Sequence, residues 1–328
     1  MDHFAPKEAA TSTEVTTQAT TLSIEVERVA GIIKRHLQLS LEQPQAIAAI
    51  DPTKILPFTS PILPASAAVL ANNIPGYIAP TTEQIGEMVT YAEAKENYGT
   101  MPGKGAAFLI QLVKALQPET AFVFGTARGR IEQVIAQNHG VTEIVTIDLP
   151  QSEVATAKGR PDSNNIRYRN NIGINSDENI GDIFKNDSTI SNRIHQLLGD
   201  SRTLDTTRFD GTMRLVVVDG NHALLNCLGD LSSALEMIHP QGGVIVVDDF
   251  KKASPLNMGV DTAVNLLNCA TGLSVLWPCP KPKEDDLEAP VAVIPVPAGF
   301  DRQSAAQNLR KLLELLESCS DAKRSATL

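Results

Sequence analysis

AFVFGTARGR, residues 121–130, is the stretch on which the fold turns. Four apolar residues run into a glycine, and a second glycine follows four positions later. A short apolar run of this kind reads as a strand buried on both faces. Gly125 and Gly129 allow a tight turn and let a ligand come close to the backbone. A helical pattern begins near residue 130, and the free N–H groups and partial positive charge of its first turn suit an anionic group. A plain strand-to-helix turn accounts for the same residues if nothing else along the chain agrees.

Working towards the C-terminus, the same texture recurs. Apolar runs appear at EIVTID (143–148), RLVVVD (214–219), GVIVVDD (243–249), LSVLW (273–277) and VAVIPV (291–296). Helical patterns fall near 130–138, 182–195, 223–238 and 258–270. Apolar runs alternating with helices predict an α/β fold with a parallel sheet covered on both faces. The last two runs are joined by PCPKPKEDDLEAP (278–290), which has no helix signal, so they read as a closing antiparallel pair. A helix is expected at about 302–317. No internal repeat is present.

Towards the N-terminus, helical spacing is found at about 104–116, 82–98 and 24–37. The stretch 52–80 carries Pro52, Pro57, Pro61, Pro64, Pro75 and Pro80, which forbids a long helix or a central strand. Residues 1–22 are rich in Thr, Ala and Glu. They lack the basic and apolar regions of a leader and read as a disordered tail. The expected organisation is a tail (1–22), a helical and Pro-rich lid region (23–103) and an α/β domain (104–328).

Bulk properties narrow the function. The 328 residues carry a net charge of −10, with 42% hydrophobic residues. No Lys/Arg stripe offsets the acidic surface, so tight nucleic-acid binding is not expected. No apolar run approaches the ~18 residues a membrane span requires. Cys227, Cys269, Cys279 and Cys319 form no C-x-x-C pair, and they read as reduced thiols of a cytoplasmic protein.

In open α/β sheets ligands bind beyond the carboxyl ends of the strands, so the residues ending each run carry the chemistry. Asp148 ends the second run about 20 residues past Gly125, where it can accept hydrogen bonds from both hydroxyls of a ribose. Gly199-Asp200-Ser201 follows IHQLL, and its carboxylate can accept from an adenine amino group. Asp219 ends RLVVVD, and Asp248 and Asp249 end GVIVVDD. Three carboxylates converging on one point raise each other's pKa unless a cation intervenes, and Mg²⁺ prefers such hard oxygen donors. His222, three residues past Asp219, suits a general base near neutral pH. Each acid also has a structural reading, as a helix cap, a turn residue or a solvated surface group.

Taken in order, GTARGR (125–130), TIDLP (146–150), GDS (199–201), VDGNH (218–222) and PQGGVIVVDDF (240–250) resemble the class I S-adenosylmethionine-dependent methyltransferases. The nearest likeness is to the Mg²⁺-dependent sugar and macrolide O-methyltransferases. That resemblance implies a Rossmann-like seven-stranded sheet whose last strand is antiparallel. It implies contacts to S-adenosylmethionine at Gly125, Thr126, Gly129, Asp148, Asp200 and Ser201. It implies Mg²⁺ ligands at Asp219, Asp248 and Asp249, with His222 as base. It also implies a small hydroxyl-bearing acceptor: a sugar, polyol or phenol. Val123 departs from the pattern, because many relatives carry an acid two places before the first glycine. Two further readings stay open: a metal-independent methyltransferase, and an inactive binding protein on the same fold. A nicotinamide dehydrogenase fails for want of G-x-G-x-x-G. The helices before 116 and the C-terminal helix offer a face for a homodimer.

Overall fold

The computed structural model describes residues 63–64, 70, 72–74, 103–157, 169, 173–250, 258–277 and 291–327. The chain divides into two compact units, Phe58–Leu313 and Met1–Pro57 with Glu314–Leu328. The expected tail, the helices at 24–37 and 82–98 and the loop at 278–290 lie outside the described residues.

The larger unit is built on β1 (Leu63–Pro64), β2 (Thr120–Phe124), β3 (Glu143–Asp148), β4 (Ile194–Leu198), β5 (Leu215–Val218), β6 (Gly243–Val247), β7 (Leu276–Trp277) and β8 (Ala292–Val296). They form one sheet in the order β1-β7-β8-β6-β5-β2-β3-β4. β8 runs antiparallel between β6 and β7, and every other pairing is parallel. The expected seven-stranded sheet with its antiparallel last strand is therefore present, and β1 adds a two-residue strand at its edge. The central strands β2, β5 and β6 are buried along nearly their whole length, as continuous β-branched runs require.

The described helices are α1 (Gly103–Leu116), α2 (Arg130–Ala136), α3 (Gln151–Ala157), α4 (Asp182–Lys185), α5 (Leu224–Met237), α6 (Met258–Thr271) and α7 (Arg302–Thr327). One expectation needs correction. The helix read at 182–195 is only α4 followed by a single 3-10 turn, and residues 194–198 are strand β4. Asp187 ends the helix, because its Oδ1 accepts from the Thr189 N–H (3.0 Å) and from Thr189 Oγ1 (2.6 Å). A turn closed by its own side chain competes with helical pairing.

The Pro-rich stretch contributes to the core. Leu63–Pro64 pairs with β7, and Leu70 and Ile74 pack in the same apolar cluster as Phe108, Leu276 and Val293. Pro64 is compatible with an edge position, where a missing N–H costs little. Ile74 is 1% exposed. Ile74→Ala should therefore cost about 2–5 kcal/mol in urea unfolding, as expected for a buried isoleucine. A loss below about 0.5 kcal/mol, typical of surface positions, would remove the segment from the core.

Candidate active site

The ends of β2, β5 and β6 meet at one edge. The Gly125 N–H donates to the Ile147 carbonyl (2.9 Å) and the Asp219 N–H to the Phe124 carbonyl (2.9 Å). Gly125 has φ +92°, and a Cβ there would stand 2.0 Å from the Asp219 carbonyl oxygen. Only a glycine lets the first turn and the β5 tip approach so closely. Gly129, at φ +87°, begins α2, and a Cβ there would meet the Phe184 ring at 2.3 Å. β5 and β6 pair through Val218 and Val247, and the Asp248 N–H continues the ladder to the Val218 carbonyl (3.0 Å). Asp219 and Asp248 thus leave adjacent strands side by side, next to the glycine turn.

His222 lies between two of the acids. Its Nε2 is 3.5 Å from Asp219 Oδ1 and its Nδ1 is 3.4 Å from Asp249 Oδ2. Whichever carboxylate accepts the ring N–H fixes the tautomer, and the opposite nitrogen is the one able to take a proton. Asp249 reaches the ring from a left-handed backbone (φ 57°), a conformation short polar side chains tolerate. Asp248 and Asp249 are both buried. The loop carrying His222 is shaped by Asn221, whose Oδ1 accepts from the Ala223 N–H at 2.8 Å. It is backed by α6, since a Cβ on Gly259 would fall 2.2 Å from the His222 carbonyl. Among the described residues, no group of three His, Cys, Asp or Glu side chains is arranged to hold a metal ion.

On the glycine side, Asp148 Oδ2 accepts from the Ala127 N–H (2.8 Å), while Oδ1 accepts from the Leu149 N–H (2.7 Å) and from Arg169 (3.0 Å). Three of about four lone-pair positions are therefore engaged. Burial pushes its pKa up, against the opposing pull of Arg169 and the two N–H donors. The Asp148 carbonyl accepts from the Gly199 N–H (2.9 Å), which sets the 199–201 loop beside it. Asp200 turns its carboxylate onto Arg202, accepting from its N–H (3.1 Å), Nε (3.0 Å) and Nη2. Ser201 hydrogen-bonds the buried Asp230 of α5, whose carboxyl is pushed up to about 7 mainly by burial.

Thr126 is 2% exposed, and its hydroxyl shares a 2.7 Å hydrogen bond with Thr146. Thr146 in turn hydrogen-bonds Glu132 of α2, which is fully buried. Burial holds the Glu132 carboxyl at about 8. Between the ordinary carboxyl range and about 8, the unfolded chain has lost a proton that the folded chain keeps. Stability therefore falls as pH rises through that window and levels off above it.

The structure thus gathers Gly125, Thr126, Gly129, Asp148, Asp200, Ser201, Asp219, His222, Asp248 and Asp249 along one sheet edge. Glu132, Arg169, Asp230 and Gly259 were not singled out by sequence reasoning. Arg169 lies in a polar stretch with no pattern, and the other three look like ordinary helix positions.

Residues 97–250 match the model of a family described as a methyltransferase domain. No curated protein matches the chain. Similar solved structures include an O-methyltransferase from Bacillus cereus in complex with S-adenosylhomocysteine. It shares 14% identity over 70% of this chain and 96% of that one, with a TM-score of 0.38. Another is the O-methyltransferase TomG from Streptomyces achromogenes, involved in tomaymycin synthesis and solved with S-adenosylmethionine. It shares 15% identity over 71% of this chain and 96% of that one, with a TM-score of 0.39. Likeness this distant adds nothing further about this chain. The matched segment contains β2 to β6 with the glycine turn between them, and residues 97–250 are in this sense similar to a methyltransferase domain.

Proposed function

We propose that the chain is an S-adenosylmethionine-dependent O-methyltransferase acting on a hydroxyl of a small molecule, with His222 as general base. The observation that carries this reading is the placement of His222 between Asp219 and Asp249, beside the turn at Gly125. The acceptor oxygen attacks the methyl carbon in line, the carbon–sulfur bond breaks, and S-adenosylhomocysteine leaves. His222 takes the hydroxyl proton, and the carboxylate on its other nitrogen stabilises the imidazolium. The protein's main contribution is alignment, an effect that can reach about 7–11 kcal/mol. Gly125, Thr126, Gly129, Asp148, Asp200 and Ser201 are the residues proposed to hold the cofactor. No helix among the described residues is long and apolar enough to cross a membrane, and the proposed setting is the cytoplasm.

Asp219, Asp248 and Asp249 carry the hard oxygen donors that Mg²⁺ prefers and are the residues proposed to hold it, although their side chains are not gathered into a metal site in this structure. When bound, the ion would orient and acidify the acceptor hydroxyl. A second reading omits the metal, and the pairing of Asp219 and Asp249 with the imidazole favours it. Turnover of a hydroxyl-compound panel with Mg²⁺ or with excess EDTA separates the two. Loss of activity in EDTA, restored by Mg²⁺, is the expected result of the first reading, and equal rates support the second. Calorimetry with S-adenosylhomocysteine tests both, because absence of binding by the full chain removes the methyltransferase reading altogether.

A further inference from the structure

Val123 stands where the resemblance places an acid, and it is fully buried in β2. Its partner in the neighbouring strand is Thr146, so the two side chains share one face of the sheet. That is the face covered by Ile131, Val134 and Ile135 of α2. Glu132, on the same helix, brings its carboxyl to Thr146 Oγ1. An acid missing from the strand is thus present beside the same spot, carried by the helix above it.

The carboxyl also connects to the glycine turn. Glu132 bonds Thr146, and Thr146 bonds Thr126, the residue immediately after Gly125. All three side chains are at least nine-tenths buried. Among the described residues, the second carboxyl oxygen, Oε2, has no hydrogen-bond partner. A bare carbonyl oxygen tolerates that far better than an ionised carboxylate would. We propose that Glu132 is a positioning residue for the cofactor: from α2 it supplies the carboxyl absent at Val123 and, through Thr146, orients the Thr126 hydroxyl at the glycine turn. This rests on the methyltransferase reading above.

The direction of the chain of hydroxyls follows from the state of the carboxyl. A neutral Glu132 donates to Thr146, Thr146 donates to Thr126, and the Thr126 proton is free to point into the turn. An ionised Glu132 reverses every donor, and Thr126 then offers only a lone pair. Asp148 and Asp219 are the charged groups whose fields reach Glu132, and both favour its neutral form.

The test is calorimetry of the full chain with S-adenosylhomocysteine, alongside steady-state kinetics and thermal melting. Glu132→Ala should weaken binding about tenfold and raise KM for S-adenosylmethionine with kcat nearly unchanged, the size expected for one lost buried hydrogen bond. Glu132→Gln keeps a donor towards Thr146 and should bind within about threefold of the wild type at pH 7. Wild-type affinity should fall as pH rises past about 8. Glu132→Gln keeps Asp148 and Asp219 but should lack that fall. Adding Val123→Glu to Glu132→Ala should recover most of the lost affinity. Glu132→Ala binding like the wild type, with only a lower melting temperature, overturns the proposal. So does a folded double variant that binds no better than Glu132→Ala. Should the double variant not fold, equal weakening by Ala and Gln overturns it instead. A wild-type chain that binds no S-adenosylhomocysteine removes the reading of function, and the proposal with it.

Discussion

Gly125→Ala is expected to lower the melting temperature by about 10 °C or more and to bring S-adenosylhomocysteine binding below detection. Left-handed backbone at an alanine costs roughly 1–2 kcal/mol by itself. The larger cost is steric. The new methyl group would lie 2.0 Å from the Asp219 carbonyl oxygen, 2.6 Å from its carbon and 2.8 Å from the Gly220 Cα. These are backbone atoms at the tip of a buried strand, so no side chain can swing aside. Either β2 and β5 separate at their tips or the turn rebuilds, and both disturb the loop carrying His222. Against a total stability of about 5–15 kcal/mol, a loss of several is severe. Thermal scanning and calorimetry measure both parts. A variant with wild-type melting and wild-type affinity would show that the close approach of turn and strand does not exist.

The second large effect concerns chemistry alone. His222→Ala should reduce kcat by about 10²- to 10⁴-fold, the range a positioned general base contributes, while S-adenosylhomocysteine binding stays near wild type. The side chain is partly exposed and belongs to a loop rather than to the core, so melting should change little. The separation of kcat from cofactor affinity is the diagnostic feature. An Ala variant with unaltered kcat assigns the proton to another acceptor and leaves the imidazole a merely electrostatic partner of Asp219 and Asp249.

Much of this was legible because buried parallel strands announce themselves. EIVTID was read with the bounds that β3 has, and the runs for β2, β5, β6 and β8 differ from the observed strands by a residue or two. β4 escaped because it is an edge strand. IHQLL has only its first residue buried, so its pattern is that of a surface and not of a core. The helix overread at 182–195 failed for a local reason, the Asp187 turn, which apolar spacing does not report.

The site shows the same division. Asp148, Asp219, Asp248 and Asp249 were visible because strand ends at one sheet edge must be neighbours, and His222 followed three positions later. The tie between Asp200 and Arg202 is a contact between residues two apart, and it depends on a turn the sequence does not specify. Glu132 was hidden for the opposite reason. An acid near the start of a helix ordinarily faces water and favours the dipole. Here α2 is buried all round, so the same residue becomes part of the interior.

The antiparallel strand β8 is made last among the strands yet sits inside the sheet, between β6 and β7. A chain still emerging from the ribosome, or one cut short before residue 292, therefore presents the backbone edge of β6, with its run of valines and isoleucine, as an unmatched template. Such an edge recruits strands from other molecules. Nonsense codons that fall just before Ala292 should thus produce aggregates rather than a chain that merely lacks its C-terminal part.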